Sequence, residues 1–144
     1  MPSSVQPIAF RLTRGADLKQ SIFDAVKGND IQAGCVVSVV GCLSSINMRL
    51  ADSVSVFQKD ACFEILSLSG TLTPEHIHLH ISVADEEGGA WGGHLLDGTI
   101  VSHTAEICLL AFSNYQFNRE FDADTGYTEL VVKPGVNSSC FSTK

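Results

Sequence analysis

Apart from one short edge strand at the start, the hydrophobic periodicity of this chain is helical once and then that of strands to the end, and that limits the folds open to it. Gly15-Ala16-Asp17-Leu18 opens a helix with Asp17 as N-cap and Gln20 at the capping-box position. Leu18, Ile22, Ala25 and Val26 fall on one face, and Gly28 is placed to end it. An edge strand is expected before the helix, at 8–11. From Cys35 onward the spacing is that of strands, at 35–40, 46–50, 54–57, 63–68, 76–83, 90–95, 104–112 and 128–132. One early helix followed by a run of strands predicts an α+β domain, a mostly antiparallel central β-sheet flanked by a few helices. In Phe63-Glu64-Ile65-Leu66-Ser67-Leu68, alternation puts Phe63 and Ile65, with Ser67, on one face. Glu64, Leu66 and Leu68 take the other, so the strand needs cover on both sides.

The chain's 144 residues, 44% of them hydrophobic at a mean hydropathy of +0.18, are enough for one core without staples and exclude a disordered protein. A single domain over 1–144 is expected, with its core at about 8–132 and a frayed polar tail at 137–144. Nine Lys and Arg against sixteen Asp and Glu give a net charge of −7. The cations are scattered, with no two adjacent, so the basic arm or stripe that displaces counterions from phosphates is missing. The five cysteines form no C-x-x-C pair, and Cys35, Cys62 and Cys108 lie in apolar runs where a thiol packs as a small hydrophobe. Met1-Pro2-Ser3-Ser4 lacks the basic and apolar regions of a signal peptide, and the most apolar segment, 35–43, is far short of the roughly 20 residues that cross a bilayer. A reduced, cytoplasmic protein with no membrane partner is expected.

All five histidines (His76, His78, His80, His94 and His103) fall within 76–103, where uniform scatter would place about one. In His76-Ile77-His78-Leu79-His80-Ile81 the strand period sets the imidazoles on one face and the aliphatic residues on the other. Asp85-Glu86-Glu87-Gly88-Gly89 has turn chemistry, and 90–95 can pair back as the return strand of a hairpin. With a turn at 86–88, His80 faces His94 on the same side of the sheet. A slip of one residue puts His94 on the other face, and Gly92-Gly93 can hold a bulge. In the first register His78, His80 and His94 can share one divalent ion, zinc by preference. Its fourth position would stay open to water or a small anion. Nickel, copper and iron accept the same ligands, and exposed or interface histidines are the alternative. His76 sits at the strand's start beside Pro74, and His103 on a later segment.

Two acids interrupt apolar strands, Glu64 and Glu106. Either could orient a metal-bound histidine or serve as a general base, or else lie on a solvated face or pair with an arginine. No nucleophile elbow, Gly-rich phosphate loop or dinucleotide fingerprint is present. The candidates are therefore a non-enzymatic binding or regulatory module and, as the alternative, a metal-dependent enzyme acting on a small molecule through metal-bound water.

Phe63-Glu64-Ile65-Leu66-Ser67-Leu68-Ser69-Gly70, then 78–85, Gly92-Gly93-His94-Leu95 with Gly98, and Thr104-Ala105-Glu106 together resemble the plants and prokaryotes conserved (PPC) domain. The resemblance extends from about Ile8 to Val132 and takes in the Gly15-Ala16-Asp17-Leu18 helix start and Phe121-Asp122. It implies a central antiparallel sheet and a homotrimer. It also implies a description as a DNA-binding protein, which stems from plant members carrying an Arg-Gly-Arg-Pro AT-hook that this sequence lacks. Prokaryotic members of the stand-alone type carry histidines at the positions of His78, His80 and His94, and the resemblance implies metal there. Strands apolar on both faces also carry more apolar surface than one helix covers, which favours assembly; the alternative is a monomer with its C-terminal segment folded over the sheet.

Overall fold

The computed structural model describes residues 4–136. The elements are β1 (Val5–Thr13), α1 (Leu18–Gly28), β2 (Gly34–Arg49), β3 (Val56–Leu72), β4 (Ile77–Ala84), β5 (Ala90–Leu95), β6 (Ile100–Phe112), β7 (Tyr115–Asp122) and β8 (Tyr127–Pro134). The expected frayed tail, 137–144, and Cys140 lie outside the described residues.

Six strands form one antiparallel sheet in the order β1-β6-β2-β3-β4-β5, and β7 and β8 pair as a separate hairpin. β5 also pairs with the far end of β2, Met48 opposite Leu95 and Arg49 opposite His94. β2, β3, β4 and β5 therefore close into a ring at the His94–Leu95 end of β5, while Ala90 to Gly93 pair with β4 alone.

The α+β expectation holds, with one helix among the described residues where a few were expected. Asp17 caps it as predicted, accepting the Gln20 amide at 3.0 Å through Oδ1 and the Gly98 amide at 2.7 Å through Oδ2. One carboxylate thus fixes both the helix start and the loop after β5. Leu18, Ile22 and Val26 are fully buried in a core with Leu43, Ile46, Leu72, Leu79, Leu95 and Leu109. Each such side chain contributes roughly 1.5–3 kcal/mol by leaving water.

The segments expected at 35–40 and 46–50 are one strand, as are those at 54–57 and 63–68. Irregular registers, between Val36 and Ser38 and between Gly41 and Ser45, interrupt the apolar pattern without ending pairing. At Gly41 a Cβ would collide with the Thr104 carbonyl, so glycine lets β6 come close. A bulge between Ile65 and Ser67 also corrects the facing of β3. Leu68 is buried with Phe63 and Ile65, while Leu66 is 56% exposed. β7 was not expected; Phe117 is its one buried residue, so it lacks a periodic apolar face.

Candidate metal centre

β4 reads as its sequence predicts. Ile77, Leu79, Ile81 and Val83 are buried, so His78 and His80 point out of the ring. The turn that follows is built on Asp85, whose carboxylate accepts from the amides of Glu87 (3.0 Å) and Gly89 (2.7 Å) and from Trp91 Nε1 (3.1 Å). These bonds, the Trp91 one foremost, hold the Asp85 carboxyl below its usual pKa. The Asp85 amide donates to the Gly89 carbonyl at 2.9 Å, which leaves 86–88 as the turn, and Gly88 takes a φ of +80° that favours glycine. The pairing then runs unbroken from Ala84 opposite Ala90 to His80 opposite His94. No bulge forms at Gly92-Gly93. Instead, Gly93 admits β2, because a Cβ there would stand 2.7 Å from the Arg49 carbonyl oxygen.

Met48 and Leu95 are both fully buried, so their neighbours Arg49 and His94 share the outer face with His78 and His80. The ligand atoms of His78, His80 and His94 all lie within 4.8 Å of one another. The Nε2 atoms of His78 and His80 are 3.2 Å apart. Tetrahedral zinc with Zn–N bonds of about 2.0–2.1 Å spaces its nitrogens by about 3.3 Å, so the pair already has the span of two zinc ligands.

Burial keeps two of the three rings neutral, while the neighbouring arginines oppose any added positive charge, a proton or a metal ion alike. His94 is pushed down to about 4, by burial first and the Arg49 charge second. His78 is lowered by burial and then by Arg119. Both rings are therefore neutral near pH 7, the form a metal requires, and an ion would replace the hydrogen bond between the Nε2 atoms of His78 and His80. His94 Nδ1 is buried with no hydrogen-bond partner among the described residues, an unmet group that an ion would satisfy. The donor set and its spacing fit a divalent ion.

The other candidates lie elsewhere. His76 stands before β4 in a cleft with Glu75 and Arg119. His103, on β6, lies 3.5 Å from Cys42 Sγ and 3.0 Å from Ser102 Oγ. Glu64 is exposed opposite Ala84, four residues along β4 from His80 and so roughly 13 Å from it. Glu106 is exposed on β6 opposite Arg11 and Val40. The structure brings the three histidines together and leaves both acids outside the cluster. Cys62 and Cys108 are exposed rather than packed as hydrophobes, and Cys35 and Cys42 are partly buried; all four are free thiols. Arg49 and Arg119 are the site residues that sequence reasoning missed, because only the ring closure and the β7–β8 hairpin carry them there.

Residues 1–113 match the profile of the Plants and Prokaryotes Conserved (PCC) domain. The chain belongs to this family. Among relatives of this PPC domain, the bifunctional protein GlmU of Synechococcus sp. (strain JA-2-3B'a(2-13)) is 42% identical over 140 residues, 97% of this chain and 22% of that protein. The AT-hook motif nuclear-localized protein 16 of Arabidopsis thaliana is 28% identical over 125 residues, 82% of this chain and 48% of that protein. The chain thus spans about a fifth and about half of these two relatives. A hypothetical protein from Salmonella superimposes with a TM-score of 0.89 at 29% identity, covering 93% of this chain and 97% of its own. A metal-containing protein from Archaeoglobus fulgidus gives a TM-score of 0.73 at 27% identity, covering 88% and 93%. Among the described residues of this PPC domain, no helix is long and apolar enough to cross a membrane.

Proposed function

We propose that this PPC-domain protein holds one divalent ion, zinc by its ligand set, on His78, His80 and His94, and acts in the cytoplasm as a homotrimeric binding or regulatory module. The observation that carries the reading is the gathering of three ring nitrogens within 4.8 Å on a closed wall of four strands. The metal-containing Archaeoglobus relative supports it. Assembly is supported by apolar side chains left on the surface, Val37 and Val40 on β2 and Phe121 on β7 among them, which a second copy would cover.

An enzyme is the second reading. Three protein ligands leave a position at which zinc would activate water. A general base is what this reading lacks, since Glu64 and Glu106 stand away from the cluster. DNA binding, suggested by the AT-hook name of the Arabidopsis relative, is opposed by the charge of −7 and the scattered cations.

Titration of chelator-treated protein with zinc, with mass by light scattering on the same sample, tests the proposal. One zinc per chain in a particle of three chains is expected. A folded chain that takes up no zinc, or a monomer, contradicts the corresponding half.

A further inference from the structure

On the outer face of the ring the registers set four side chains in a line across β3, β4, β5 and β2: Ser69, His80, His94 and Arg49. Thr71 and His78 make the adjacent row. Arg119 reaches that row from β7, donating from Nη2 to Thr71 Oγ1 over 3.4 Å. One guanidinium thus stands on the β2 side of the histidines and another on the β3 side. Each has a buried Nε with no acceptor among the described residues, and neither forms an ion pair there. A buried charged donor without a partner is costly, and a guanidinium whose Nε is enclosed can turn its outer nitrogens, in Arg119 held only by long bonds to Thr71 Oγ1 and the Thr128 carbonyl, toward two oxygens of a carboxylate or phosphate.

The charge balance points the same way, because neither guanidinium has a carboxylate oxygen within 4 Å among the described residues. A divalent ion would add two more positive charges to this surface. We propose that Arg49 and Arg119 form an oxyanion-recognition site around the triad, for a small molecule whose carboxylate or phosphate oxygens take the metal's open position and a guanidinium edge. The inference rests on the metal reading above and gives that site its ligand class.

The test is a titration of zinc-loaded protein with inorganic phosphate and, separately, acetate. It follows the arginine Nε–H signals by NMR and measures zinc content at the end of each titration. Arg49→Gln and Arg119→Gln are run beside the wild type. The expected result is a shift of the Nε–H signals of Arg49 and Arg119 with one or both anions, and affinity at least about tenfold weaker in each variant at unchanged zinc content. The stronger of the two anions identifies the oxyanion class. Zinc retained throughout, with no anion binding or with equal affinity in the variants, overturns the arginine site and leaves the metal reading standing. Arginine-dependent anion binding without zinc uptake supports the arginine site and overturns the metal reading. Neither zinc nor anion binding overturns both. Arg119→Lys guards against loosening of the β7–β8 hairpin: it keeps the charge, and it should fall between wild type and Arg119→Gln.

Discussion

His80 on β4 and His94 on β5 stand directly opposite one another, their ring centroids 5.8 Å apart and their planes 69° to each other. Opposed residues of an antiparallel pair share a face, so a single local feature, the length of the turn between them, decides whether a three-histidine cluster exists at all. The first two predictions concern what holds that register.

Asp85 gathers the turn through two amides and the Trp91 indole. Asp85→Ala removes no ligand, yet it should weaken zinc binding several-fold and change Trp91 emission, because the hairpin loses the acceptor that sets its register. Competition against a chromophoric chelator measures the first effect. Unchanged zinc affinity would mean that the strands alone hold the histidines in place.

Gly93 is the point where β5 passes over β2. A methyl group there meets the Arg49 carbonyl at 2.7 Å and Met48 side-chain atoms at 3.3 Å. Backbone cannot yield as a flexible side chain does, so Gly93→Ala should cost about 1–3 kcal/mol in urea unfolding. It should also weaken zinc binding, since Arg49 and His94 separate. Gly28→Ala gives a control for the added methyl group alone, because Gly28 has no positive φ and a methyl group there meets nothing within 4 Å.

The metal-free protein should lose stability in acid over a defined window. Burial and Arg49 hold His94 at about 4 in the folded chain against 6.5 in the unfolded one, and His76 and His78 are lowered in the same direction. The unfolded state therefore takes up protons first, so the stability is fully present above about pH 6.5 and is lost as pH falls toward 4. With the partial exposure of these rings discounted, a loss of about 1–2 kcal/mol is expected. Thermal melts across this range should show it, and His94→Gln should flatten the slope. An equal slope in the variant would contradict the assignment to His94.

Local signals made part of this legible from sequence. The Asp17 cap, the buried aliphatic row of β4 and the His80–His94 register all follow from neighbours within a turn or a hairpin. The facing of Leu66 and Leu68 did not, because the bulge between Ile65 and Ser67 is set by pairing with β4 and leaves no mark in composition. β7 was invisible because Tyr115-Gln116-Phe117-Asn118 buries one side chain. Arg49 and Arg119 were missed for a different reason. Arg49 meets His94 only after β5 has closed the ring onto β2, and Arg119 meets Thr71 only through the docked hairpin, so neither contact has a sequence period to announce it.

The most direct test of the central claim is elemental analysis of untagged protein purified without chelator, beside His80→Ala prepared in the same way. About one divalent metal per chain in the wild type, lost in the folded variant, is the predicted result. A folded wild type without metal, or a variant that keeps its full metal content, would contradict the assignment of His78, His80 and His94 as a metal centre.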